Sequence, residues 1–315
     1  MRLLFVHAHP DDETLATGLT MAAHVRRGHE VHLLTCTLGE EGEIIPPELA
    51  HLAADRDDSL GPWRAEELRR AMAVLGAHHR VLGEDLAAGV RSRYRDSGMA
   101  GTPSAGHPRA FVRADPAEAA GMVAAVITEV SPDVVVTYDR HGGYGHPDHI
   151  QTHRVTLAAL AGRPAGDRPG SPPVPTAYCI LTPARWALED RLWLAAHVDR
   201  QASPRMELPD PAEEYPPSVV PDDVVTHEVV DPGSVPLQAR ALREHRTQVS
   251  VYDGYYALSN HFAARLPGRE GFARIDPASG ELFSGEDLAA EPSGRDESAA
   301  RPRARRHTGL FPGVA

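Results

Sequence analysis

Lysine is absent from this sequence: all 32 of its non-histidine cations are arginine. That absence excludes a Schiff-base lysine, lysine-bound pyridoxal phosphate and a P-loop lysine. A GC-rich coding bias toward Arg, Ala, Gly and Pro accounts for it without functional selection. Cysteine is nearly absent. Cys36 and Cys179 form no CxxC pair and each sits in an apolar run, so they read as buried thiols rather than a disulfide or a zinc site. Long apolar stretches are missing too. The opening run Leu3-Leu4-Phe5-Val6 is far too short for a signal peptide, and no segment approaches a membrane span. A soluble, cytoplasmic protein with no membrane partner is expected. Excess positive charge is also lacking. A net charge of −12 argues against a nucleic-acid partner and weighs against an anionic substrate, although a local pocket can differ from the whole. The composition that remains is 42% apolar, enough for the core of one large α/β domain or two smaller ones. Oligomeric state is not legible.

Read along the chain, residues 3–6 form a short buried strand. Residues 14–27 have helical spacing and stop at Gly28, and residues 31–37 form a second buried strand. Strand–helix–strand implies a parallel sheet. An acidic loop over 39–58 precedes a helix over 63–75 and a short strand over 80–82. Residues 83–110 read as a long loop of the kind that carries function. Asp115 is a plausible N-cap for a helix over 116–129. A buried strand over 133–138, a glycine-rich loop and a helix over 149–160 follow. Residues 162–175 are a Pro/Gly linker. Strands over 176–181 and 224–230, the latter at an edge, and helices over 186–196 and 236–247 complete the pattern. From Gly285 the chain is polar and Arg-rich and is expected to be disordered. The expected organisation is a catalytic core over 1–175, a part over 176–284 completing the same domain and its pocket, and a tail over 285–315. The fold class is α/β, a Rossmann-like, mostly parallel sheet flanked by helices with a smaller C-terminal part.

Two short segments carry the chemistry: His7-Ala8-His9-Pro10-Asp11-Asp12-Glu13 and Tyr144-Gly145-His146-Pro147-Asp148-His149. Both lie just beyond the carboxyl ends of predicted parallel strands, where open α/β sheets form their sites. A hydrolytic zinc takes three protein ligands and leaves one position open. His9 and Asp12 can supply two ligands and His149 the third, with Asp11 beside them as a base. His146 and Tyr144 can donate to the oxygen of a tetrahedral intermediate, and His146 can protonate the leaving amine. Asp148 is placed to orient a histidine from behind. Alternatives stand beside these roles. An HxxD pair alone is weak, since Asp12 could cap the helix at Thr14 and His149 could be an ordinary first-turn residue. His153, one turn on, could replace His149 as ligand. His7 points away from Ala8 and reads as a core histidine.

These residues resemble the zinc-dependent N-acetylglucosaminyl deacetylases, the LmbE-like or PIG-L-like family. The likeness extends over about residues 1–260. It includes Thr35-Cys36-Thr37-Leu38-Gly39-Glu40-Glu41-Gly42-Glu43, Tyr94-Arg95-Asp96-Ser97-Gly98-Met99-Ala100-Gly101-Thr102 and Gly142-Gly143-Tyr144, a pattern similar to the mycothiol-biosynthesis branch. The resemblance implies hydrolysis of the N-acetyl group from a pseudo-disaccharide of N-acetylglucosamine and myo-inositol. It implies one Zn2+ per chain on His9, Asp12 and His149, with Fe2+ an alternative in the cell. It further implies Asp11 as base, His146 as acid oriented by Asp148, Tyr144 on the oxyanion side, and sugar contacts from Arg64, Asp96 and Glu43. A sister family, the mycothiol S-conjugate amidases, shares the metal motif but follows it with a lysine in the next helix. Here that stretch is Thr14-Leu15-Ala16-Thr17-Gly18, which favours the deacetylase. A non-catalytic zinc or sugar-binding protein would need neither Asp11 nor His146.

Overall fold

The computed structural model describes residues 1–162, 174–199, 205–284 and 306–310. The first half alternates strand and helix. Arg2–His7 is β1, Asp12–Ala16 is α1, Gly18–Arg26 is α2 and Glu30–Thr35 is β2. Leu60–Leu75 is α3 and His78–Val81 is β3. Pro116–Val130 is α4, and the Asp115 carboxylate accepts from the Ala117 amide at 2.9 Å, as its N-cap position predicts. Val134–Tyr138 is β4, Gly142–Gly145 the single turn α5, and Pro147–Ala161 is α6. Next come β5 (Thr176–Ile180), β6 (Thr182–Pro183), α7 (Ala184–His197), β7 (Val219–Val220), β8 (His227–Val230) and α8 (Val235–Glu244). The last are β9 (Ser250–Val251), β10 (Tyr255–Ala257), β11 (Ala263–Arg265), β12 (Arg269–Arg274) and β13 (His307–Thr308).

The main sheet runs β13-β8-β12-β5-β4-β1-β2-β3. It is parallel from β5 through β3, and β12 is antiparallel to both of its neighbours. Strands from 176–284 therefore complete the sheet begun by residues 2–138. Alternation along β1 builds two cores. Leu3 and Phe5 pack with α2 and α3 on one face, and Leu4 and Val6 with α4 and α6 on the other. All four are fully buried, and each such side chain contributes about 1.5–3 kcal/mol. Strand β1 lies between β2 and β4, so the chain order reverses there. This is the switch point outside which a crevice forms.

Three features depart from the sequence reading. The helix expected over 14–27 is two helices, α1 and α2, broken at Thr17. The Thr17 hydroxyl bonds the Glu13 carbonyl at 2.8 Å and His7 Nε2 at 3.0 Å. The Glu270 carboxylate then caps the new helix start, accepting from Leu19 and Thr20 amides at 2.9 Å each. Strand β12 was not anticipated because its sequence, Arg-Glu-Gly-Phe-Ala-Arg, has no apolar run. The tail expected to be disordered re-enters the fold: β13 adds to β8, and Leu310 is fully buried. The rest of that tail, and most of the 162–175 linker, lie outside the described residues.

Candidate active site and metal centre

Beyond β1 the chain turns sharply through Pro10 and Asp11 into α1. The Tyr138 hydroxyl, from the end of β4, accepts from the Ala8 amide at 3.0 Å and ties the two strand ends together. Asp12 opens α1, and its Oδ2 accepts from the His9 amide at 2.9 Å. The same oxygen lies 3.2 Å from His9 Nδ1 and 3.3 Å from His149 Nε2. Adjacent donors around a tetrahedral zinc, with bonds of about 2.0–2.1 Å, stand about 3.3 Å apart. The spacing fits.

The tautomers fit as well. His149 Nδ1 lies 3.1 Å from the Gly142 carbonyl and must carry the proton to bond it. That leaves Nε2 with a free lone pair, and Nε2 is buried with no hydrogen-bond partner in the protein. Gly142 is required for this contact. It has φ 63°, and a Cβ there would sit 2.6 Å from His149 Cβ and 2.8 Å from the Ile150 nitrogen. On the other candidate ligand, His9 Nε2 faces Asp148 Oδ2 at 3.3 Å and Asp96 Oδ1 at 3.4 Å, which would leave Nδ1 for a metal. Although burial opposes it, Asp96 and the hydrogen bonds to Asp12 and Asp148 hold the metal-free His9 imidazole well above its usual range. Asp12 is held well below its own despite burial, by His149 and His9.

The other expected residues fall around this core in unequal ways. Asp11 points Oδ1 at the Arg64 guanidinium, 3.0 Å away. Burial, only partly offset by Arg64, lifts its carboxyl to about 6 in the metal-free protein. Arg64 is buried, lines the cavity and also donates to the Pro10 and Gly39 carbonyls, so it holds Asp11 and its loop. Asp96 accepts from the Gly98 and Glu41 amides at 2.8 and 3.2 Å and flanks His9. Glu43 stands exposed at the cavity margin.

Asp148 was expected behind His146. The structure places its carboxylate on His9 Nε2 and on the Ser97 amide, the latter at 2.8 Å. Toward His146 it offers only its backbone N–H, which donates to Nδ1 at 3.2 Å and makes His146 the N-cap of α6. An Nδ1 that accepts carries no proton, so the neutral ring bears its proton on Nε2. Burial, then His9 and His149, push His146 down to about 3 in the metal-free protein. Tyr144 is 56% exposed and its ring centroid is 5.2 Å from that of His149. His9, His146 and His149 present donor atoms within 4.8 Å of one another, as do His9, Asp96 and Asp148. His153 does not group with the donor atoms around His9 and does not line the cavity; its Nδ1 bonds the Tyr138 carbonyl at 2.8 Å. His7 is a fully buried core histidine packed edge-on to Tyr138.

The site opens into a cavity of about 1600 Å³ lined also by Trp186, Gln238, Tyr256, Arg265 and Glu270. Sequence reading missed these residues, because they come from the C-terminal part and form no compact motif.

The family description "GlcNAc-PI de-N-acetylase" (PIG-L) matches residues 4–160. A Thermobifida fusca protein named 1D-myo-inositol 2-acetamido-2-deoxy-alpha-D-glucopyranoside deacetylase is 47% identical over 276 residues, 87% of this chain and 92% of that one. A Streptomyces scabiei protein of the same name is 48% identical over 282 residues, 85% and 83% of the two chains. Among solved structures, the A40926 pseudoaglycone deacetylase Dbv21 aligns at 22% identity with a TM-score of 0.47, covering 80% of this chain and 84% of that one.

Proposed function

The chain belongs to the PIG-L family of GlcNAc-PI de-N-acetylases, and from that premise we propose that it removes the N-acetyl group of 1-D-myo-inositol 2-acetamido-2-deoxy-α-D-glucopyranoside, giving the free amine and acetate. It is a hydrolytic enzyme, a deacetylase. The observation that supports this chemistry most directly is the single Asp12 oxygen shared between His9 Nδ1 and His149 Nε2, with a carboxylate that is not a ligand, Asp11, one residue away. One Zn2+ per chain suits this donor set. When bound, it would bring the pKa of a coordinated water to about 7 and polarise the amide carbonyl.

His9, Asp12 and His149 would hold the ion. Asp148 and Asp96 fix the His9 ring by accepting from Nε2, and the Gly142 carbonyl fixes that of His149. Asp11, steered by Arg64, takes a proton from the attacking water. His146, with its proton held on Nε2, and the Tyr144 hydroxyl donate to the oxygen that gains charge. The expected acid role of His146 therefore passes to Asp11, which returns its proton to the leaving amine. An imidazolium at His146 would have to break the cap from the Asp148 amide. We place the whole unit, residues 1–284, in one catalytic domain. We infer a cytoplasmic enzyme with two buried, unpaired thiols; among the described residues no helix is long and apolar enough to cross a membrane.

The cavity is larger than the roughly 300–1,000 Å³ usual for small-ligand sites, which favours a second reading, amide hydrolysis of a mycothiol S-conjugate. Acetate release from the glucosaminyl-inositol substrate should be fast and abolished by chelator, with slower turnover of the conjugate. Faster cleavage of the conjugate, or release that survives chelation, would overturn the reading.

A further inference from the structure

The backbone of Asp11, beside the candidate metal ligands, is strained. Its φ of 128° with ψ −35° lies where side chains other than glycine rarely go. Such a conformation persists only where the surroundings over-determine it. The Asp11 amide donates to Glu13 Oε2 at 3.0 Å, and its carbonyl accepts from the Thr14 and Leu15 amides at 3.0 and 2.9 Å. The other end of the Glu13 carboxylate meets His245 Nε2 at 3.0 Å and accepts from the Thr14 hydroxyl at 2.6 Å. His245 lies just past the end of α8, 232 residues away in sequence. Glu13 and His245 are both fully buried, and neither lines the cavity.

We propose that Glu13 and His245 are positioning residues for the reaction: the Glu13 carboxylate clamps the Asp11 peptide, and His245 anchors that clamp to α8. Glu13 is the surplus carboxylate of the first motif, neither metal ligand nor base. The Arg64 guanidinium sets the direction of the Asp11 carboxylate, and Glu13 sets the peptide from which it projects. Losing the clamp lets the peptide relax toward an ordinary conformation and moves the base away from the attacking water. A displacement of about 1 Å in such a group costs on the order of 10²-fold in rate.

This inference rests on Asp11 being the base, and the experiment separates the two claims. Glu13→Gln and Glu13→Met are made in the parent and in Asp11→Asn, and kcat, KM, bound metal and melting temperature are measured. Glutamine can keep an acceptor on the Asp11 amide and still reach His245, so it should retain kcat within about fivefold; methionine can do neither and should lose roughly 10- to 100-fold. Both should bind one metal equivalent with KM little changed. In the Asp11→Asn background Glu13→Met should cost less than about threefold, because the group it positions is gone. If Glu13→Met does not fold, His245→Phe keeps the Asp11 contact and removes its anchor. It should lower kcat about tenfold in the parent and hardly at all in Asp11→Asn. Full kcat in these variants, or an equal loss in both backgrounds, overturns the positioning role. Wild-type turnover by Asp11→Asn itself would overturn the base assignment and this proposal with it.

Discussion

Asp12 and Asp11 are neighbours in sequence, and the turn between β1 and α1 points their carboxylates at different partners, in keeping with the different roles proposed for them. Asp12 shares its oxygen with two imidazoles, whereas Asp11 faces Arg64. His149→Ala should therefore lose bound metal, and Asp11→Asn should keep it while kcat falls by roughly 10²–10⁴. Metal analysis beside acetate release checks both; an Asp11→Asn protein that binds no metal would merge the two roles. Glu270 carries a second prediction at this scale. Burial outweighs the donors at the start of α2 and lifts its carboxyl to about 7, above the ordinary 4.5. The fold thus favours the neutral form. The stability this contributes is complete below about pH 4.5 and is lost as pH rises through about 7. Glu270→Gln, neutral throughout, should gain melting temperature relative to the parent between about pH 5 and pH 8. A difference that stays flat over that interval would mean that the capping hydrogen bonds, not burial, dominate.

At the level of elements, two short pieces of chain matter more than their length suggests. The α5 turn brings the Gly142 carbonyl to His149 Nδ1, and only glycine fits the space and the φ. Gly142→Ala should weaken metal binding by 10-fold or more, in line with the roughly 10- to 100-fold cost of disturbing a ligand's orienting partner. Normal affinity in a metal titration would show that the turn can relax. Strand β13 is the other piece. It pairs with β8, the Leu310 carbonyl accepts from the Tyr178 hydroxyl at 3.1 Å, and the Arg306 guanidinium lies 4.8 Å over the Trp186 ring. Truncation after Ser284 should lower stability by about 2–3 kcal/mol from the loss of buried Leu310 alone. Denaturant unfolding measures this, and an unchanged midpoint would restore the dispensable tail that composition suggests. That composition was misleading because a two-residue strand and one leucine are too short a signal among so many polar residues.

Across the whole molecule, the proposed metal ligands follow β1 and β4 in the chain, on either side of the point where strand order reverses. An ion bound there joins two segments that the unfolded chain holds far apart. Added zinc should raise the melting temperature, equivalent to about 2.7 kcal/mol at a hundredfold excess over Kd, and His149→Ala should abolish the rise. An equal rise in that variant would place the ion elsewhere. The same geometry explains the cavity. It is lined by the two motifs together with residues of the β10–β12 region.

The sequence by itself determined the α/β class, the strand ends that carry the site and the identity of the residues gathered there. Buried strands read as unbroken apolar runs, and paired His/Asp motifs are compact enough to see. Tertiary structure alone decided how those residues are used. Asp148 turns to His9 and not to His146, Arg64 and Asp96 hold the loops, and His146 keeps its proton on Nε2 because a backbone amide occupies Nδ1. The break at Thr17 and the Glu13–His245 contact depend on hydrogen-bond partners more than two hundred residues away, and strand β12 on its register with β5 and β8. A carboxylate's partner is chosen by angle and distance in the folded chain, and no local pattern of residue types records that choice.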